Sequence, residues 1–345
     1  MTDTTDMRPE ECPRGLHLDQ LPLCSEKRVL SKLRNATHDF AFAFDIDGVL
    51  LRGTLPVEGA KQTLETLQAN SIPFILLTNG GGLTELDHAR RLGLRLTMSI
   101  DEDQFVQSHT PFRTFVEQYK EEWIVVLGGH GSHVKDLATM YGFNPEKIIT
   151  SSDIVKHHPS IHPFPEMTSA YHDQYGNIAD DFSHEEKIAA IFVFTSPRDW
   201  WSTAHATPRL AQGAFRAALE GIWSSATKGK AELQSWTCGK PTTTTYDYAE
   251  QILQKYHQKI EPLSTSQIKT VYMIGDNPES DICGAIRADE TSSLAWRSVL
   301  VETGVHKADM VPAYAPTETK TDVWEAVRWA VSHETKVDIG ECPDT

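Results

Sequence analysis

The sequence predicts an α/β protein built on a doubly wound, parallel sheet of the Rossmann type. Three observations support this fold class. Apolar runs typical of buried strands end in acidic or glycine-rich turns, helical patterns separate these runs, and no internal repeat interrupts them. The first strand, the first helix and the second strand all fit between residues 40 and 82, which suits a βαβ unit and therefore indicates parallel strands.

Local patterns justify each element of the first half. In VEGAKQTLETLQAN the apolar residues share one helical face, and Asn70 is expected to end this helix. Thr84 and Asp87 form a capping pattern at the start of the next helix. Gly142 is expected to end a third helix. Strands and helices are expected in turn in FAFAFDIDGVL, VEGAKQTLETLQAN, IPFILLTNGGG, TELDHARRLGL, EEWIVVLGG and SHVKDLATMYGF.

The second half continues the alternation. KIAAIFVFTSPRDWW indicates a strand followed by two tryptophans, and the spacing of Ala249, Ile252 and Leu253 indicates a helix in TTTTYDYAEQILQKY. Residues 1–35 are polar and contain prolines, so we expect an N-terminal arm there. The remaining elements are a strand in KTVYMIGDNPESD, a strand in WRSVLV and an amphipathic helix in TDVWEAVRWAV.

Composition and charge argue against several functional classes. The formal net charge of −16 disfavours a nucleic-acid partner, because phosphate backbones are bound by clustered Lys and Arg. No apolar run approaches the ~18 residues that span a bilayer, so we expect no membrane insertion. The five cysteines are dispersed, and the acidic first segment resembles neither a signal peptide nor a transit peptide. We therefore expect reduced thiols and a cytoplasmic location, with a mitochondrial one less favoured.

Polar side chains directly follow three of the predicted strands. They lie in the turns Asp45-x-Asp47-Gly48, Thr78-Asn79-Gly80 and Gly275-Asp276, with Asp281 five positions after Asp276. The carboxyl ends of parallel strands lie along one edge of a doubly wound sheet, where ligands bind. We therefore expect these turns to converge at that edge, together with Gly239-Lys240-Pro241 from the start of a helix.

Phosphoryl transfer explains why these residue types occur together. Asp45 can attack phosphorus and form an acyl phosphate, while Asp47 can protonate the leaving oxygen and then activate water. Mg²⁺ prefers oxygen ligands, and the expected ligands are the Asp45 and Asp276 side chains, the main-chain carbonyl of Asp47 and waters. Asp281 is expected to complete the metal site by holding a metal-bound water or orienting its neighbours. Donors and a positive charge must also face the phosphoryl group; the candidates are Thr78, Asn79, Gly80 and Lys240.

Four strings carry a resemblance to a known family. FDIDGVL, LLTNGGG, CGKP and IGDNPESD resemble, in order, the four motifs of the haloacid dehalogenase (HAD) superfamily. SHTPFR, GKPTTTTYDYAE and GDNPESDICGA are similar to its subclass IIA branch of the cat eye syndrome critical region protein 5 type. The resemblance implies a Rossmann-like core, Mg²⁺ and phosphatase chemistry, but no particular substrate. We expect the substrate to be a phosphate monoester of a small, soluble organic metabolite. The glycines at 80–82 depart from many relatives, which carry serine or a bulkier residue there.

The resemblance also implies a domain organisation. The long interval between Asn79 and Lys240 matches the class II layout, in which an inserted α/β cap domain of the subclass IIA type follows the second motif. The expected units are an arm at 1–35, core segments at 36–119 and 232–335, a cap at 120–231 and a tail at 336–345. Caps of this class often mediate homodimers, so a homodimer through the cap is one expected partner arrangement.

Two rival functions stay open on the residues alone. A non-catalytic binding or scaffold protein could use the same fold. A phosphatase could also act on a lipid-like or prenyl (di)phosphate, for which Trp200 and Trp201 are the hint, although the two tryptophans could equally belong to the cap core. A phosphomutase is disfavoured, because its cap usually lies between the first two motifs. The glycine-rich segment 128–131 is interpreted as a strand-to-helix turn rather than a phosphate loop.

Histidines and cysteines outside the proposed catalytic set also admit two interpretations. His157, His158 and His162 could suggest zinc, but the prolines around them favour an irregular, solvated loop. Cys238 and Cys283 flank the third and fourth motifs and could be redox-sensitive. We interpret both cysteines as small packing residues.

Overall fold

A computed structural model describes residues 33, 38–161, 165–177, 187–195 and 212–343 of the chain. Its strands are β1 (Phe40–Phe44), β2 (Leu51–Arg52), β3 (Leu55–Pro56), β4 (Phe74–Leu77), β5 (Phe105–Val106), β6 (Ile124–Leu127), β7 (Ile148–Thr150), β8 (Ala190–Val193), β9 (Thr270–Gly275), β10 (Ala295–Val301) and β11 (Glu318–Lys320). Its α-helices are α1 (Ala60–Ala69), α2 (Glu85–Leu96), α3 (Val116–Tyr119), α4 (His133–Tyr141), α5 (Ser151–His157), α6 (Pro165–Tyr175), α7 (Gln212–Thr227), α8 (Thr243–Ile260), α9 (Cys283–Thr291) and α10 (Val323–Thr335).

Six strands form one parallel sheet in the order β11-β10-β9-β1-β4-β5. The chain moves outward from β1 in both directions, first through β4 to β5 and later through β9 to β11. This is the doubly wound arrangement that the alternation of elements predicts. Phe44 pairs with both Leu76 and Ile274, so the carboxyl ends of the three central strands lie at nearly the same level.

The sequence of β1 explains why helices cover both faces of this sheet. Successive side chains of a strand point to opposite faces. Phe40, Phe42 and Phe44 therefore join one core with α1, α2 and α10, whereas Ala41 and Ala43 join a second core with α8 and α9. All five side chains are buried. Burial on both faces accounts for the uninterrupted apolar character of the strand.

Several helix boundaries follow the predicted signals. Asn70 is the C-cap of α1. Thr84 caps α2, because its Oγ1 accepts the N–H of Asp87 at 3.0 Å. Gly142 ends α4 with a φ of 109°, in the left-handed region that glycine adopts without strain. The predicted start of α2 and the predicted ends of α1 and α4 are confirmed.

A second, three-stranded parallel sheet lies between the second and third motifs, in the order β7-β6-β8. Ile124, Val126 and Phe192 pack with α4 in its core, and Phe112 and Phe115, which precede β6, pack against the same cluster. This α/β insertion occupies the place of the expected cap, while its exact boundaries stay a prediction. No helix in the ranges described above is long and apolar enough to cross a membrane.

Candidate active site

Four chain segments meet at the carboxyl edge of the six-stranded sheet. Asp45 follows β1, Thr78 follows β4 and Asp276 follows β9, while Lys240 lies three residues ahead of α8. Because the three strands end at nearly the same level, the residues that follow them come together. The structure therefore places the four sequence motifs side by side, as predicted from three turns that follow strands and one that precedes a helix.

Lys240 lies at the centre of this site. Its Nζ is 2.8 Å from Asp45 Oδ1 and 2.8 Å from Asp281 Oδ1, and its side chain is 1% exposed. Burial opposes the charge of the lysine, but the two carboxylates outweigh it and raise the pKa of Lys240. The site thus contains a permanent positive charge in direct contact with the predicted nucleophile.

Three carboxylates surround this one lysine. Oxygens of Asp45, Asp276 and Asp281 lie within 4.8 Å of one another. Burial, opposed by Lys240 and reinforced by Asp281, raises the pKa of Asp45 to about 7. Burial and the charge of Asp281 raise the pKa of Asp276 to about 6. One ammonium against three carboxylates leaves an excess of negative charge, which favours a bound cation.

The donor set fits Mg²⁺. It consists of carboxylate oxygens, the ligands that this hard cation prefers. Asp276 Oδ2 accepts the N–H of Val305 at 2.5 Å, so the other oxygen of this side chain remains for a cation. Within the described part of the chain, no other group of three His, Cys, Asp or Glu side chains could share an ion.

A loop after β10 that was not among the predicted site segments fixes Asp276. Besides the Val305 N–H bond to its carboxylate, Thr303 Oγ1 donates to the carbonyl of Gly48 at 2.6 Å. A Cβ added at Gly304 or Gly48 would collide with the Asp276 carboxylate, and Gly48 has a φ of 91°. The sequence signal for this loop is the same as for the predicted turns, because Thr303-Gly304 follows a strand that neighbours β9.

The loop after β4 contains two kinds of polar group. Thr78 is buried, and its Oγ1 accepts the N–H of Gly80 at 3.0 Å, so the hydroxyl hydrogen remains for a ligand. The Asn79 amide bonds the main chain of Lys240, accepting its N–H at 2.6 Å and donating to its carbonyl at 2.9 Å. Asn79 therefore holds Lys240 in place, a role not foreseen from sequence. The phosphate contacts of Asn79 and Gly80 stay predictions.

Asp47 differs from the other carboxylates of the site. It lies two residues beyond Asp45 and is exposed. The surrounding protein partly excludes water from its carboxyl group and raises its pKa above the ordinary value, against the opposing charge of Lys240. A raised pKa suits a carboxyl group that must give up a proton near neutral pH.

The remaining candidate residues lie apart from this site or outside the described residues. His157 ends α5 and its ring lies 4.8 Å from that of His158, whereas His162, Trp200 and Trp201 lie outside the described residues. The segment 128–131 joins β6 to α4, which confirms the predicted strand-to-helix turn. Cys283 is buried, as predicted, and Cys238 is half-buried.

Comparison with known proteins identifies the family. Residues 42–144 match the haloacid dehalogenase-like hydrolases, and residues 237–326 match the HAD-hydrolase-like family. A protein named mitochondrial hydrolase from Saccharomyces cerevisiae is 32% identical over 345 residues, which cover 83% of this chain and 94% of the yeast protein. The chain belongs to the haloacid dehalogenase-like hydrolases. The predicted superfamily and the prediction of an enzyme are thereby confirmed.

Two further proteins are similar to this haloacid dehalogenase-like hydrolase. A cardiolipin synthase (CMP-forming)/mitochondrial hydrolase fusion protein of Schizosaccharomyces pombe is 36% identical over 342 residues, covering 88% of this chain; the match spans only 55% of the fusion protein. The crystal structure of a hypothetical protein from Pyrococcus horikoshii has a TM-score of 0.56 at 19% identity, covering 84% of this chain and 99% of that chain. This structural likeness confirms the predicted fold class.

The predicted cytoplasmic location is contradicted. The names of both yeast relatives of this haloacid dehalogenase-like hydrolase contain the words mitochondrial hydrolase. The prediction relied on an acidic first segment that lacks the Arg-rich pattern of a transit peptide. That criterion was therefore not sufficient to decide between the two compartments.

Proposed function

We propose that this hydrolase is a magnesium-dependent phosphatase that cleaves phosphate monoesters of small organic metabolites. The observation that carries the proposal is the contact of buried Lys240 with Asp45, beside the carboxylates of Asp276 and Asp281. A carboxylate and a phosphate dianion repel each other in a low-dielectric site. A fixed ammonium and a cation site next to the carboxylate offset that repulsion and favour the transition state.

Asp45 is the proposed nucleophile. Its Oδ1 accepts the N–H of Ile46 at 2.8 Å and pairs with Lys240, which leaves Oδ2 as the attacking atom. A bond forms between Oδ2 and phosphorus while the bond from phosphorus to the leaving oxygen breaks, giving a phospho-aspartate. Water then attacks this phosphorus, which releases inorganic phosphate and restores the Asp45 carboxylate.

Asp47 is the proposed general acid and base. Its raised pKa keeps a larger protonated fraction near neutral pH, so it can give its proton to the leaving oxygen in the first step. The carboxylate that results can accept a proton from the attacking water in the second step. Its exposure fits this role, because the leaving group and the water must both reach it.

The remaining polar groups would bind the phosphoryl oxygens and the cation. Mg²⁺, when bound, supplies charge neutralisation at the transferring phosphoryl group. The residues proposed to hold it are Asp45, Asp276, Asp281 and the carbonyl of Asp47. The Thr78 hydroxyl is the proposed donor to a phosphoryl oxygen, with the main-chain N–H groups of its loop around it.

Phosphate release is expected to require Mg²⁺. The test is a panel of phosphorylated metabolites, prenyl diphosphates and p-nitrophenyl phosphate, each assayed with Mg²⁺ or with excess EDTA. We expect turnover of monoesters with Mg²⁺, a fall to background in EDTA and recovery when Mg²⁺ is restored. Turnover that EDTA does not diminish would contradict the metal proposal. Release from prenyl diphosphates alone would favour the lipid-like alternative, and no release from any compound would contradict phosphatase activity.

Asp47→Asn is expected to lower kcat by about a hundredfold or more for alkyl phosphates, because the leaving alkoxide then receives no proton. The loss should be smaller for p-nitrophenyl phosphate, whose leaving group is stable without a proton. Steady-state kinetics on the two substrate types measures the difference. An equal loss for both would indicate that Asp47 contributes in some way other than proton transfer.

A further inference from the structure

Three buried polar residues outside the proposed catalytic set form a continuous hydrogen-bonded chain. His109 Nε2 accepts the N–H of Gly82 at 3.0 Å, His109 Nδ1 is 2.7 Å from Tyr141 Oη, and Tyr141 Oη donates to Glu85 Oε1 at 2.6 Å. The three side chains are almost inaccessible to solvent. Burying a polar group costs free energy unless the group has a hydrogen-bond partner. The hydrogen bonds of these three side chains therefore favour this one arrangement.

The partners fix the direction of every bond. Because Nε2 accepts from a main-chain N–H, it carries no proton, and burial lowers the pKa of His109 to about 4. The neutral ring therefore has its hydrogen on Nδ1 and donates to Tyr141 Oη. Tyr141 in turn donates to Glu85, which also accepts from Thr110 Oγ1 at 2.8 Å and from Arg113 at 3.3 Å. The hydrogen-bonded chain thus ends on the Glu85 carboxylate, which accepts hydrogen bonds from three donors.

The hydrogen-bonded chain connects different parts of the molecule. Gly82 lies in the loop that begins at Thr78, Glu85 is the first residue of α2 in the core, and Tyr141 is the last residue of α4 in the cap. The His109 ring also leaves no space beside Gly81, where an added Cβ would lie 2.7 Å from Cδ2. The ring of His109 therefore packs directly against this loop, in space that a side chain at Gly81 would need.

The cap contacts the same loop at a second point. Thr195, just after β8, lies close enough to Gly82 that an added Cβ there would be 3.0 Å from the threonine Cγ2. Thr195 Oγ1 also accepts the N–H of Gly129 at 2.9 Å, in the turn after β6. The loop after β4 is thus held between the core and the carboxyl end of the cap sheet.

We propose that His109 and Tyr141 are positioning residues that hold the Thr78–Gly82 loop in its phosphate-binding shape and couple that shape to the docked cap. The proposal rests on the proposed function, because it assigns the loop to the phosphoryl group. Neither residue touches the reacting atoms. Their effect passes through the Gly82 N–H and the glycine main chain next to Thr78.

Tyr141→Phe removes the hydroxyl that joins cap and core and leaves the ring in place. We expect KM for a monoester and Ki for inorganic phosphate to rise about tenfold, the factor that corresponds to one buried hydrogen bond, with a smaller change in kcat. The matched control is Tyr119→Phe, whose ring packs against the same cap cluster and which should behave like the wild type. Hydrogen exchange of the segment 78–84 should be faster in Tyr141→Phe only.

Variants of His109 separate hydrogen bonding from packing. His109→Gln keeps an acceptor for Gly82 and a donor for Tyr141, so its KM should stay within about threefold of wild type, less than the loss of one hydrogen bond. His109→Leu keeps bulk without either function and should match or exceed the defect of Tyr141→Phe. Thermal unfolding of all variants shows whether each one is folded at the assay temperature, and the comparison of Tyr141→Phe with Tyr119→Phe decides the question if His109→Leu does not fold.

The possible outcomes are distinct. An active wild-type enzyme whose Tyr141→Phe variant shows wild-type KM, Ki and hydrogen exchange would overturn the positioning role and leave the proposed function intact. Equal defects in Tyr141→Phe and Tyr119→Phe would also overturn it, because general packing of the cap would then explain both. A wild-type protein that releases no phosphate from any monoester would overturn the proposed function and this inference with it.

Discussion

Asp45→Asn is expected to abolish hydrolysis, with kcat falling by at least about 10⁴-fold. The amide has the shape of the carboxylate but cannot attack phosphorus. The fold should not suffer, because Lys240 keeps its contact with Asp281. A pKa raised to about 7 means that burial disfavours the Asp45 charge. Above the pKa of the unfolded chain that charge lowers stability, so at neutral pH without Mg²⁺ the variant should unfold at the same or a higher temperature.

Kinetics and thermal unfolding together test the assignment of Asp45. Asp309→Asn is a suitable control, since Asp309 is an exposed aspartate outside the site and its replacement should change neither quantity. A folded Asp45→Asn protein that keeps a substantial part of the wild-type kcat would contradict the nucleophile assignment. A large fall in its unfolding temperature would contradict the view that this carboxylate is held at an electrostatic cost.

The residues that follow strands were predictable because their positions depend on local pattern and on a general property of parallel sheets. Phe and Ala alternate in β1, and both faces are buried, so the strand and its two cores follow from the sequence alone. Asp45, Thr78 and Asp276 come together because β1, β4 and β9 end at nearly the same level of the sheet. No knowledge of side-chain contacts was needed to place them at one edge.

The pairings between distant segments could not be read in the same way. Asn79 has two polar atoms, and a turn interpretation leaves both free for a phosphate, whereas the structure uses them on the main chain of Lys240. His109 lies in SHTPFR, which indicates only the family resemblance and no contact of the histidine. In the structure its ring contacts Gly82 and Tyr141. The spacing of residues in the sequence predicts periodicity within one helix or strand. It does not predict the distance between side chains of different elements in the folded protein.

Lys240→Met is expected to lower the free energy of unfolding by about 3–5 kcal/mol, because it leaves two buried carboxylates without their cation. Catalysis should fall as well, since the phosphate dianion would then approach Asp45 without the neighbouring ammonium. Added Mg²⁺ should restore part of the stability and little of the activity, because a cation can neutralise the carboxylates without occupying the position of the lysine. Denaturant unfolding with and without Mg²⁺, together with steady-state kinetics, measures these effects.

Lys259 provides a matched control, because it makes the same kind of contact in a different environment. Its Nζ lies 2.7 Å from Asp101 and 2.6 Å from Asp103, but its side chain is 49% exposed. Water can solvate all three groups when the pair is broken, so Lys259→Met should cost less than about 1 kcal/mol. Equal losses in the two variants would mean that burial does not set the strength of the Lys240 contacts. A large loss at Lys240 alone would show that the charge balance of the site, and not the number of ion pairs, determines what this lysine contributes.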